Sequence, residues 1–600
     1  MTHHRQTYSG RWPAGRTLIA LLAGLLILPT LGRAAEQEQP LTALVADGTT
    51  TKVSSGLLAT GDTEPDQPLP VIVSYRNFPG WTEIEDLQKK GLVKARLGSV
   101  HGLSANIPAG ELLSVASDDR VTSIALDVPL IPALDVGRRA AGQHGLPAAL
   151  AALTGQGIVV AVLDSGVASH PDLAERLLAR IDIVALMQPR ATETSLHADQ
   201  SSGPLFLDTT SPSFLTAETS LTGTESSTSD SFADRTNFGA ADPFGHGTHV
   251  AGIIAANSSD PRVDYRGLAP KAQLIDVRVL DENGAGTTTG VIAGLDWAVQ
   301  NKDRFGIRVV SMSLGHPVFE HPDQDPLVQA VERAWEAGLV VVCSAGNWGR
   351  YGNFTISSPG NSRRVITVGS LTDWNTVRHP DDMISSFSSA GPALGMQVLK
   401  PDLVAPGNRI VSLRSPGSTL DLDHAEWRVS EGAGDADYLE LSGTSMATPM
   451  VAATVALMLE KDPSLSPDTV KARLMASADT SIDDNPYSRG AGSLDVRASL
   501  EHTGVTDYAA SPRLFRGEAE GEILVEDTGE LWGDTLLWSD KLLWSDTALW
   551  SDTLLWSDTL LWSDTALWSD TLLWSDTLLW SDTLLWSDTL LWSDSAPLPD

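Results

Sequence analysis

One cysteine, Cys343, stands in a chain of 600 residues. No internal disulfide can form, so the fold rests on packing and on any ions it binds. Positive charge is also scarce, with 41 Lys and Arg against 76 Asp and Glu, for a net charge of −35. Such a surface repels nucleic-acid phosphate and anionic membranes, which excludes both as general partners. Long apolar runs are missing. Leu18–Leu28 spans eleven residues before Pro29, short of the ~20 that a membrane-spanning helix needs, and no other stretch approaches that length. Aromatic residues make up 6 %, and 11 of the 18 tryptophans fall in one C-terminal stretch. What remains is a globular composition, 42 % hydrophobic and 20 % charged, on a chain with room for about four domains at ~150 residues each.

Residues 1–35 hold no acidic residue, carry Arg5, Arg11 and Arg16, and lead through the apolar run to Gly32 and Ala34. This reads as a secretory signal over 1–34, cut after Ala34. The alternative is an uncleaved anchor. The mature chain is then expected outside the cytoplasm, secreted or at the cell surface, with no transmembrane span. Over 35–135 a small α+β unit is expected at about 68–132. Val71–Tyr75, Leu103–Ile107 and Val121–Leu126 read as its strands, and Thr82–Gly91 and Ala109–Ser117 as its helices. Pro129 to Gly145 reads as an exposed linker.

From 140 to 502, short Val/Ile-rich runs alternate with helical patterns. Ile158–Leu163, Gln273–Val279, Arg308–Ser313, Leu339–Ser344 and Val365–Val368 look like strands buried on both faces. Gly290–Gln300 and Pro326–Ala337 carry helical spacing. The economical architecture is α/β, helices over a mainly parallel sheet. Ala191–Arg235 interrupts it, with 19 of 45 residues Ser or Thr, and reads as a long, mobile surface insertion. After a linker at 503–530, residues 531–594 repeat the hexad Thr-Leu-Leu-Trp-Ser-Asp. In a helix each hexad advances ~600° and no apolar face persists. An extended chain keeps Trp on one side, so the tail is β-like or disordered. The aspartate in each hexad suits a gatekeeper against edge-to-edge aggregation. The Trp row suits surface attachment or polymer binding, and plain repeat expansion competes with both.

Three segments carry side chains suited to chemistry. Val159–Asp164, followed by Ser165 and Gly166, is an apolar strand ending in a carboxylate that can fix an imidazole tautomer. A turn-forming aspartate is the plain alternative. Gly245-His246-Gly247-Thr248-His249-Val250-Ala251-Gly252 opens a helix whose glycines permit close backbone approach. His246 and His249 share a helical face, as a metal pair would, but lack the glutamate of the zinc pattern. Leu441–Pro449 leads into an alanine-rich helix. It leaves Ser445 at the N-terminus, where free N–H groups favour developing negative charge. A simple helix cap competes there.

Asp, His and Ser in that chain order form one of the known orders of a hydrolytic triad. On these motifs the sequence resembles the subtilisin-like serine peptidases, the subtilases, from about Gly157 to Leu500. Gly267-Leu-Ala-Pro270, Ser313-Leu-Gly315, Ser344-Ala-Gly-Asn347 and Lys400–Gly407 fit as well. The resemblance implies a three-layer α/β domain and a serine endopeptidase acting on protein or peptide substrates. Ser445 is then the nucleophile, His246 the general base and later acid, and Asp164 its orienting carboxylate. Asn347 joins the Ser445 amide in an oxyanion hole. His249 takes no triad role and reads as structural, and Cys343 as a small core residue.

Ser313, Leu314 and Gly315, with Ser344, Ala345 and Gly346, become the walls of the pocket before the cleaved bond. They hold no carboxylate, which favours a broad or apolar preference over strict Lys or Arg. Asp172 resembles a calcium ligand, and the loop from Asn257 to Asp264 follows the His helix where partner ligands would lie, though it departs in length and contains Pro261. Solvated surface acids are the alternative, and the chemistry needs no cofactor. The unit at 68–132 resembles an inhibitory propeptide that the enzyme removes itself, between Leu126 and Gly145. The insertion and the hexad tail depart from the family pattern. Two rival readings stand beside it, a metal-dependent hydrolase at His246 and His249 and a surface adhesin with an inactive peptidase domain.

Overall fold

The computed structural model describes residues 52–53, 57, 65–127, 129–132, 150, 152–173, 175–187, 207–209, 242–257, 265–373, 382–395, 397–429, 438–482, 485–516, 523–525, 553–560 and 571–574. The expected signal at 1–34, most of the insertion and most of the tail lie outside these residues. Among the described residues no helix is long and apolar enough to cross a membrane.

Alternation of side chains along β1 (Pro68–Tyr75) decides how the N-terminal unit is built. Val71 and Val73 face one way, Ile72 the other. With β2 (Leu92–Leu97), β3 (Gly102–Pro108) and β4 (Val121–Leu126), β1 forms an antiparallel sheet in the order β4-β1-β3-β2. On one face Val71, Val73 and Leu103 pack against Ile84 and Leu87 of α1 (Trp81–Gln88) and Leu112 and Val115 of α2 (Leu112–Ala116). On the other, Ile72, Ala95, Leu97 and Val100 join the core of the large domain. The second expected helix opens with a 3-10 turn at Ala109–Glu111, and β2 was not anticipated.

The large domain is an eight-stranded sheet. Its members in chain order are β6 (Val159–Asp164), β7 (Leu177–Asp182), β9 (Gln273–Arg278), β11 (Ile307–Met312), β13 (Val340–Ser344), β14 (Ile366–Thr372), β15 (Met383–Ile384) and β16 (Leu403–Pro406). The spatial order is β15-β14-β13-β11-β6-β9-β7, with β16 also on β14, and every pairing is parallel except that of β15. β6 and β13 are buried at every position, which demands cover on both faces. Two packed helix pairs supply it: α3 (His246–Ala255) with α6 (Thr444–Lys461), and α4 (Thr288–Phe305) with α5 (Pro326–Glu336). Local chemistry sets their ends. The Thr287 hydroxyl caps α4 by accepting from Gly290 N, and Gly306 closes it at φ 71°. Asp325 caps α5 ahead of Pro326. Cys343 lies on β13, fully buried, and burial pushes its thiol up to about 12.

Among the short strands off the main sheet, three bear on the site. These are β8 (Leu207–Asp208), β10 (Gly286–Thr287) and β12 (Leu314–Gly315). The reading of Pro129 onward as an exposed linker is corrected for β5 (Pro129–Pro132), which runs antiparallel between β10 and β12. Gly286 pairs with Leu130 and Thr287 with Pro129, while Gly315 pairs with Ile131 and Leu314 with Pro132. Its prolines sit at the first and last positions, where a missing N–H interrupts the ladder least. In the tail, Thr553–Leu560 and Thr571–Trp574 pair in parallel, with Thr553 opposite Thr571.

Candidate active site

Asp164 ends β6, and its Oδ1 accepts from Ser165 N at 2.8 Å and meets His246 Nδ1 at 2.8 Å. His246 opens α3 directly after Gly245, whose φ of 101° is left-handed. A Cβ on Gly247 would stand 2.1 Å from the Gly166 carbonyl oxygen, so only glycine lets this helix come so near the β6 turn. A carboxylate can only accept, hence Nδ1 carries the proton and Nε2 presents a lone pair. That Nε2 is buried and has no hydrogen-bond partner.

Ser445 is the second residue of α6, and α6 packs on α3. Its hydroxyl donates to the Ser313 carbonyl at 3.0 Å, and the Ser313 hydroxyl donates back to the Ser445 carbonyl at 2.8 Å. In this rotamer Ser445 is therefore tied to the start of β12 rather than to the imidazole. Asn347 stands at the same helix start. Its Oδ1 accepts from Thr444 N and Thr444 Oγ1, both at 3.0 Å. Those two donors fix the amide's orientation and leave Nδ2 buried without a partner. A free amide donor beside the first N–H groups of a helix is what a developing oxyanion requires.

Asp242 has a part that the sequence reading missed. Its Oδ1 accepts from Ser165 Oγ at 2.8 Å and Gly245 N at 2.7 Å. Its Oδ2 accepts from Thr248 N at 2.8 Å and Thr248 Oγ1 at 2.5 Å. One carboxylate thus binds the turn after Asp164 to the first turn of the His246 helix. Burial holds its pKa above the usual carboxylate range. The available signal was its place four residues before the histidine, in Asp242-Pro-Phe-Gly245.

Ser313, Leu314, Gly315, Ser344, Ala345 and Gly346 are all buried. Ser344 Oγ donates to Leu314 O at 3.5 Å, joining the two segments. Beyond them, the Asp325 carboxylate is engaged on both oxygens, by Ser358 Oγ at 2.6 Å and by the α5 amides. It presents no free charge.

His249 is structural in its contacts, with Nε2 at 3.0 Å from Leu439 O and 3.2 Å from Ile410 O. The two histidines thus serve different partners and do not converge. Burial, aided by the nearby His246, pushes His249 down to about 3. The unfolded chain takes up that proton near ~6.5 while the folded chain stays neutral. Its contribution to stability is full above ~6.5 and is lost as pH falls toward 3, at up to about 1.4 kcal/mol per pH unit. In a Ser445→Ala chain, which cannot digest itself, the melting temperature is expected to fall across this window. His249→Gln should flatten the descent. Equal slopes would refute it.

Asp172 and Asn257 do come together, Asn257 N donating to the Asp172 carbonyl at 3.0 Å. The Tyr438 hydroxyl, however, donates to Asp172 Oδ2 at 3.2 Å, and the loop 258–264 lies outside the described residues. Calcium asks for about six to eight oxygens. Among the described residues no group of three or more His, Cys, Asp or Glu side chains converges. No chemical step is routed through an ion.

A family model described as the subtilase family matches residues 155–497. Serine protease AprX of Bacillus subtilis (strain 168) is 36 % identical over 425 residues, 70 % of this chain and 83 % of that protein. Subtilisin DY of Bacillus licheniformis is 37 % identical over 258 residues, 43 % of this chain and 78 % of its own. Among solved structures, fervidolysin from Fervidobacterium pennivorans, a keratinolytic enzyme related to subtilisin, aligns with a TM-score of 0.50 at 22 % identity. That alignment covers 74 % of this chain but 62 % of the other, and it speaks to the fold alone.

Proposed function

Because the chain belongs to the subtilase family, we propose that it is an exported serine endopeptidase that works through Ser445, His246 and Asp164 and is made as a self-processing precursor. The observation carrying the catalytic reading is the His246–Asp164 bond of 2.8 Å with a free, buried Nε2 on the far side of the ring. Ser445 leaves the Ser313 carbonyl by a rotation about its Cα–Cβ bond and donates to that Nε2. As Oγ attacks the peptide carbonyl, its proton passes to His246. Asp164 stays ionised and holds the imidazolium. The Ser445 N–H and Asn347 Nδ2 take the oxyanion, and His246 then protonates the leaving amine. Water, deprotonated by His246, releases the acyl group from Ser445.

The precursor reading is supported by β5. An extended substrate would pair with β10 and β12, and Pro129–Pro132 already does so. Asp127 anchors the same segment by accepting from Thr289 N at 2.9 Å and Thr289 Oγ1 at 2.6 Å, at the start of α4. The ladder runs from Leu314 toward Ser313, whose carbonyl holds the nucleophile, so we place the cut just beyond Pro132. The uncharged pocket walls support a broad or apolar preference, and residues 1–34 support export. The adhesin alternative finds no support in relatives that are named as proteases.

A fluorophosphonate probe tests the reading. It is expected to stop peptide hydrolysis while adding its mass to the peptide containing Ser445, and a chelator is expected to leave the activity unchanged. N-terminal sequencing of the mature chain should begin within a few residues after Pro132. Chelator-sensitive, phosphonate-resistant hydrolysis would overturn the assignment.

A further inference from the structure

The sheet of the N-terminal unit is completed by a strand from the other side of the proposed cut. β8 belongs to the Ser/Thr-rich insertion between Asp164 and His246, and it pairs in parallel with edge strand β2, Ala95 opposite Leu207 and Arg96 opposite Asp208. Thr209, fully buried, closes the join. Its N–H donates to Arg96 O at 3.0 Å. Its hydroxyl accepts from Gly98 N at 2.9 Å and has Asp296 Oδ2 at 2.8 Å and Arg96 O at 3.0 Å as acceptors. The Thr209 carbonyl accepts from Gln300 Nε2 at 3.1 Å. Asp296, buried on α4, also accepts from Gly98 N and Ser99 N, each at 2.8 Å.

From this geometry we infer that residues 207–209 are a strap that keeps the N-terminal unit bound after the chain is cut beyond Pro132, with the Thr209 hydroxyl governing how slowly the cleft is vacated. The inference rests on reading that unit as the inhibitory segment. Cutting the chain removes the covalent link at β5 but leaves β8 and α4 with the large fragment. The unit must then break the β2–β8 ladder and the Thr209–Asp296–Gly98 junction before it departs. The Thr209 and Asp296 side chains are buried, so the bond between them is not exchanged for hydration beforehand. Strand addition to an open edge is a general way to raise affinity through main-chain bonds. Here it also covers an edge that would otherwise be free to pair elsewhere.

The test separates retention from the enzyme's own chemistry. A full-length Ser445→Ala chain receives a recognition sequence for an unrelated, site-specific protease between residues 136 and 140. After cutting, departure of the N-terminal fragment is followed by size exclusion. Thr209→Val removes the hydroxyl while keeping shape, and departure should quicken roughly ten- to a hundred-fold, as expected for hydrogen bonds to a charged acceptor. Thr209→Ser should restore slow departure. In the Ser445-containing enzyme, kcat and KM after full release should be the same for all three. Equal departure rates in Thr209→Val and the parent would overturn the strap, as would a fall in kcat or in the melting temperature of the freed large fragment. Failure of the Ser445 chain to cut itself would instead count against the precursor reading and leave this measurement intact.

Discussion

A Ser445→Ala chain is expected to lose on the order of 10⁶ in kcat, the loss measured for the corresponding serine in subtilisin itself. It is also expected to remain uncut beyond Pro132. The change removes a single oxygen from α6 and adds nothing. It breaks the hydroxyl's bond to Ser313 O but leaves Ser313 Oγ on the Ser445 carbonyl. The fold should therefore survive, and the loss belongs to the chemistry. Residual hydrolysis of about 10³–10⁴ over water should persist, because the oxyanion donors and substrate contacts remain. Single-turnover kinetics on a peptide ester and an intact-mass spectrum of the purified chain provide the check. A variant that matures normally at high dilution, free of other proteases, would remove Ser445 from the mechanism.

Removing Asn347 should cost about 10²–10³ in kcat, or roughly 2.7–4 kcal/mol of transition-state stabilisation. KM should change little, because Nδ2 meets its charge only as the carbonyl becomes tetrahedral. Asn347 has a second duty, since its Oδ1 holds Thr444 N and Oγ1. Asn347→Leu therefore needs a companion that loosens this anchor and spares the amide donor. Thr444→Val does so, keeping the backbone bond to Oδ1, and a loss of less than about tenfold is expected. Comparable losses in the two variants would mean that Asn347 acts by holding Thr444 rather than by touching substrate.

The parts of the fold that were legible in the sequence are those whose cause is local. Val159–Leu163 and Val340–Ser344 are apolar without alternation because both faces are covered. The triad motifs stood out because Gly245 and Gly247 occupy positions that only glycine fills. What escaped was decided by distant partners. β7 reads Leu-Leu-Ala-Arg-Ile-Asp and looks half exposed, yet Arg180 Nε meets Asp276 Oδ2 at 2.7 Å and Asp182 Oδ2 meets Arg278 Nη1 at 2.7 Å. Each charge is paired with one on β9, which no local pattern announces. β5 carries two prolines and becomes a strand only because two edges wait on either side. Thr209 was one of many hydroxyl residues in a stretch without periodicity. Asp242 matters through four donors that folding gathers from two separate turns. The rotamer of Ser445 is likewise a property of its neighbour Ser313 and not of its motif.

The lone thiol has a consequence for where this chain can take shape. Cys343 is sealed inside β13, its proton held far above physiological pH, and it has no second sulfur with which to cross-link. The architecture owes nothing to oxidation. Dithiothreitol should leave its melting curve and its turnover where they were.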